Sequence, residues 1–113
     1  MLLPQITAMY ASSVLAIETK NAEQFAETLT NTIQKINIYE NNSQTILELN
    51  PKLEWIIEVS NKIAITISSE SGQENTVEKE IGISNVNYFE LHADKKTKIK
   101  IFKQDNYIYL EEI

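Results

Sequence analysis

The chain has 113 residues, one domain's worth of sequence with room for a single modest core. Sixteen acidic side chains stand against ten lysines and no arginine, a formal charge of −6. That balance argues against nucleic acid as a partner, because phosphate recognition leans on basic patches and arginine forks. Zero cysteines, one histidine (His92) and two glycines (Gly72, Gly82) remove thiolate metal sites, multi-histidine centres, thiol nucleophiles and phosphate-cradling loops. No cofactor, no metal and no catalytic residue is therefore expected.

Residues 1–38 are rich in Ala, Leu, Glu and Gln, contain no glycine, and carry proline only at Pro4, where a first helical turn tolerates it. They are predicted to form an N-terminal helix, followed by an antiparallel β domain over 39–113. On a helical wheel Ala11, Leu15, Ala22, Phe25, Leu29, Ile33 and Ile36 make one apolar stripe, with Glu18 as its charged intruder. The opposite arc differs between the two halves. It carries Ile6, Met9, Tyr10, Val14 and Ile17 first, then Lys20, Gln24, Glu27, Asn31, Gln34 and Lys35. The second half thus reads as docked on one side, and the first half as needing cover all round.

A helix of some 30 residues is about 45 Å long, more than a compact domain of this size offers. A projecting helix end whose free arc meets other subunits is the expectation; strands folded back over both sides are the alternative. Asn21 with Gln24 has the pattern of a capping box that would break the helix. Residues 1–17 hold no charge, yet are too short and polar for a bilayer span of about 20 apolar residues. They also lack the basic start of a signal peptide.

Strands are predicted at Thr45–Leu49, Leu53–Val59, Ile63–Ile67, Val77–Ile83, Val86–Leu91, Lys98–Lys103 and Tyr107–Glu111. Ser60–Asn61 and Gln104–Asp105–Asn106 supply hairpin turns, and Ser68–Asn75 a polar loop. Helix first and strands after imply an α+β fold: a long helix on an antiparallel β-sandwich or curled sheet. Leu53, Trp55, Ile57 and Val59 should face inward, with Trp55 beside Phe25 and Leu29.

Little chemistry stands out. His92 reads as a surface residue at a strand end, and Glu54, Glu58, Glu78 and Glu80 as the solvated face of alternating strands. Lys95, Lys96, Lys98, Lys100 and Lys103 read as a lysine-protected edge strand, with contact to a neighbour's acidic face as a further use. Asn41–Asn42–Ser43 makes Asn41 a glycosylation candidate.

Leu29, Ile33, Ile36–Asn37, Tyr39, Ser43, Thr45–Ile46 and Leu49–Asn50–Pro51, with the two-halved helix, resemble the helix exit and first strand of archaeal type IV pilin-like proteins made with a class III signal peptide. Relative to that family the sequence is read as lacking the leader and most of the hydrophobic anchor, with Asn41 and Asn42 where such turns often have Gly. The resemblance implies a non-enzymatic, cell-surface filament subunit, membrane-anchored in its precursor through an upstream segment. Its partners would be itself or related pilin-like subunits, met through Ile6, Met9, Tyr10, Val14 and Ile17. The alternative is a soluble extracytoplasmic binding module that holds a partner on its β-sheet.

Overall fold

The computed structural model describes residues 3–113, with side chains from Ser13 onward. One helix, α1 (Leu3–Ile38), precedes seven strands: β1 (Gln44–Leu49), β2 (Glu54–Val59), β3 (Lys62–Ser68), β4 (Glu74–Glu80), β5 (Phe89–Ala93), β6 (Thr97–Gln104) and β7 (Tyr107–Glu112). The strands form two antiparallel sheets, ordered β1-β6-β7 and β4-β3-β2-β5. The fold is therefore α+β.

The helix forms and stays in place for reasons visible in its spacing. Leu15, Ala22, Ala26, Leu29, Ile33 and Ile36 keep helical spacing, with Glu18 filling the turn between the first two, and are buried against both sheets in one apolar cluster. Gln24, Glu27, Asn31, Gln34 and Lys35 on the other side are exposed. The predicted break at Asn21 does not occur, because its side chain turns back to Glu18 instead of capping a new helix. Lys103 closes the far end. Its ammonium donates to the carbonyl oxygens of Asn37 (2.9 Å) and Tyr39 (2.8 Å), where the helix dipole favours positive charge.

The sheets present one apolar face each. Trp55, Ile57 and Val59 on β2, Ile63, Ile65 and Ile67 on β3, Leu91 and Ala93 on β5, Ile99 and Ile101 on β6, and Ile108 and Leu110 on β7 all point into the shared core. The indole of Trp55 meets the ring of Phe25 edge-on at 6.1 Å. Val86, between β4 and β5, makes a parallel bridge to Ile108 of β7.

Three expectations along the strands need correction. The strand expected at Val77–Ile83 runs Glu74–Glu80, because Gly82 takes φ +76° and ends the extended run. Val86–Leu91 is not one strand; β5 begins at Phe89, so His92 lies inside it. The lysine-rich strand β6 is no edge. It is the centre of its sheet, hydrogen-bonded to β1 and β7; Lys98 stands opposite Glu48 in the ladder and Lys100 lies 3.8 Å from Glu111.

The molecule measures 61 × 25 × 17 Å. Its long axis matches a helix of 36 residues, about 54 Å at the usual rise. Among the residues whose side chains are described, packing on the head spans Leu15 to Ile36, about 32 Å of helix.

Candidate functional site

The most organised polar cluster centres on Glu18. This carboxylate sits on the buried stripe of α1, 2% exposed, and is fully occupied. Oε2 accepts hydrogen bonds from the backbone N–H of Lys52 (2.9 Å) and of Leu53 (3.3 Å) and from the Trp55 indole N–H (2.9 Å). Oε1 accepts from the Asn21 amide at 3.2 Å. One side chain thus pins the β1–β2 loop and the start of β2 to the helix. Burying a charge is costly unless every lone pair finds a donor, and here four donors converge.

Beside it opens a concavity of about 430 Å³, lined by Val14, Ile17, Glu18, Asn21, Lys52, Leu53, Ser69 and Glu70. Ile17 on its rim is 61% exposed, and Val14 and Leu53 are half-buried. So of the five residues expected to meet other subunits, Ile17 lies open at the rim of this groove and Val14 lines it. Ile6, Met9 and Tyr10 lie outside the residues whose side chains are described.

The remaining candidates are scattered. His92 is exposed on the outer face of β5, its Nε2 3.7 Å from a Glu90 oxygen. Asn41 is exposed in the turn before β1, and its side-chain oxygen accepts from the Asn106 N–H at 3.0 Å. Lys103 serves the helix end, while Lys96 meets Glu48 at 3.3 Å and Lys100 meets Glu111 at 3.8 Å. The lysines are thus divided between several tasks.

The outer face of the four-stranded sheet gathers Glu54, Glu58, Glu74, Glu78, Glu80 and Glu90 around Lys62 and His92. Glu58 stands directly opposite Glu90, a pairing that disfavours the ladder slightly. Tyr88 flanks this row and is 64% exposed. Desolvation, then the carboxylates of Glu90 and Glu58, raise its phenol above the ordinary tyrosine value. Among the described residues, no three acidic or histidine side chains converge as a metal site.

Sequence reasoning singled out Glu18 only as an intruder on an apolar stripe, and missed its role. The signal was the intrusion itself, since a carboxylate at a core position must be matched by donors from elsewhere. Comparison of the chain with family models, with curated proteins and with solved structures gives no match.

Proposed function

We propose that the protein is a non-enzymatic structural subunit of a cell-surface filament, of the pilin-like kind, that assembles through its N-terminal helix. The observation that carries this reading is the helix that outruns its head. Its stripe from Leu15 to Ile36 is used up on the sheets, while Ile17 on another side is 61% exposed at the rim of a groove. A fully wet isoleucine forgoes about 1.5–3 kcal/mol of burial, and Met9, Tyr10 and Val14 extend the same arc along the sequence. A neighbouring helix laid on that arc recovers the loss. The clustering of structure in a β-rich head, with its polar sheet faces outward, suits a subunit exposed on a surface.

The test is incorporation. Antibodies raised against residues 39–113 should decorate filaments sheared from cells that make the protein, and Ile17→Glu should abolish decoration while the purified variant keeps its unfolding midpoint. Protein recovered wholly as free monomer from such cells, with filaments unlabelled, overturns the reading.

A further inference from the structure

A second surface, unrelated to the helix, emerges from the hydrogen-bond parity of β1. This strand pairs with β6 on one side only and ends its sheet. The Lys103 N–H donates to the Ser43 carbonyl at 3.0 Å, and Ser43 stands one step before the pair Gln44↔Phe102. In an antiparallel ladder the two-way bonded pairs alternate. Thr45, Leu47 and Leu49 therefore turn their backbone groups to β6. On the far side, the Ile113 N–H donates to the Lys98 carbonyl, so even-numbered residues of β6 face β7, as this parity requires. Gln44, Ile46 and Glu48 must then point their N–H and C=O groups away, along the free edge. No partner for these six groups occurs among the described residues.

Two common guards are missing from this edge. Natural edge strands carry lysine or proline, or are covered. The strand Gln-Thr-Ile-Leu-Glu-Leu has neither residue, and Gln44, Thr45, Ile46 and Glu48 are all exposed. Of the other end strands, β4 reads Glu-Asn-Thr-Val-Glu-Lys-Glu and is heavily charged, β7 is met on its far side by Asn85 and Asn87 through Ile108, and β5 is a five-residue strand carrying Glu90 and His92. β1 is an open template.

We infer that β1 pairs with β1 of a second copy of this chain, antiparallel and centred on Ile46, to make one continuous six-stranded sheet across a two-fold axis. A second copy fits the strand's own register. Centring on Ile46 places outward-pointing backbone groups opposite outward-pointing ones, so Gln44, Ile46 and Glu48 bond to Glu48, Ile46 and Gln44 of the second copy. It sets Ile46, 53% exposed, against its own mate. It also puts Glu48 opposite Gln44, an amide, so no carboxylate faces a carboxylate. Behind it, Glu48 stays paired with Lys98 and within 3.3 Å of Lys96. A slip by one residue would set inward-turned backbone groups against the edge and lose the bonds. An arrangement in which a residue contacts itself is the mark of an isologous pair. The inference does not rest on the filament reading.

The chain has no cysteine, so single substitutions report cleanly. Under mild oxidation of the full chain, Ile46→Cys should cross-link to itself, because directly opposed residues lie about 5.5 Å apart at Cα, within disulfide range. Thr45→Cys should not, since its two copies sit on a diagonal of roughly 7–8 Å. Ile46→Pro deletes an N–H that the chain's own ladder does not use. In sedimentation it should return a concentration-dependent dimer to monomer, with little change in unfolding midpoint. Amide exchange at Gln44, Ile46 and Glu48 should slow as concentration rises, and should do so equally in Ile17→Glu, which separates this contact from the helix contact. Exchange at those three amides that is unchanged by concentration, or equal cross-linking of the Thr45→Cys and Ile46→Cys variants, overturns the inference.

Discussion

Glu18→Ala is expected to destabilise the protein by about 2–6 kcal/mol. The figure follows from the donors it would strand. The Trp55 indole N–H is buried, and an unmet buried donor costs about 1–3 kcal/mol. The N–H groups of Lys52 and Leu53 border a groove of about 430 Å³ that water can enter, so each loses only a net bond of about 0.5–1.5 kcal/mol. Asn21 is exposed and loses little. Against a typical domain stability of about 5–15 kcal/mol this is a large share. Glu18→Gln keeps one acceptor oxygen of the same shape, and should cost about 1–2 kcal/mol, the difference between charged and neutral acceptors. Urea unfolding followed by circular dichroism measures both. Amide exchange should quicken at Lys52 and Leu53, more than 30 residues from the substitution. A loss below about 1 kcal/mol for the alanine variant would show that the loop is held by its apolar contacts instead, and the anchoring role would fall.

Three further outcomes are expected. Trp55→Ala should cost about 3–5 kcal/mol, because the ring is 3% exposed and packs on Phe25; a urea melt decides it. Lys103→Met should cost about 1–2 kcal/mol by freeing two helix-end carbonyls, with faster amide exchange confined to the last turn of α1 and the start of β1. In alkaline ultraviolet titration Tyr88 should ionise above the ordinary tyrosine value, and Glu58→Gln should lower it. The folded chain holds that phenolic proton longer than the unfolded one. Its contribution to stability is therefore complete below the ordinary value and lost as pH climbs through the raised one.

The helix and its buried stripe were legible because they rest on local periodicity, which the residues from Leu15 to Ile36 carry with Glu18 as the one charged member. Strands with clean alternation, such as Glu54–Val59 and Lys62–Ser68, were legible for the same reason. Where alternation is weak, boundaries moved. Val77 to Ile83 carries apolar residues at both ends and at Ile81 but meets Gly82 at positive φ, so the ladder stops at Glu80. The place of β6 was not legible at all. Lysines at Lys98 and Lys100 suit an edge, and only the pairing partners reveal that Glu48 and Glu111 flank them. Strand order is a long-range property, and no local pattern encodes it. The same is true of Glu18, whose donors come from residues 34–37 positions away.

The two contact surfaces differ in what they can build, and the difference yields a final expectation. A β1–β1 pair is isologous: each copy spends the same strand on the other, so the pair closes and cannot grow. A helix flank laid on a different part of a neighbour's helix is heterologous and stays open to further copies. If the chain assembles as proposed, growth into a filament comes from the Ile17 side of α1, and β1 pairing adds at most lateral doubling. Ile17 and Ile46 share no packing partner in the Glu18 groove, since that groove is lined by helix and loop residues and not by β1. Their effects on association should therefore add nearly independently. Light scattering at rising concentration checks this. Ile17→Glu should leave a species of twice the chain mass and nothing larger. Ile46→Pro should leave the large species and remove the dimer. The double variant should remain a monomer. A dimer that survives in the double variant would show that a third surface, not β1, makes the pair.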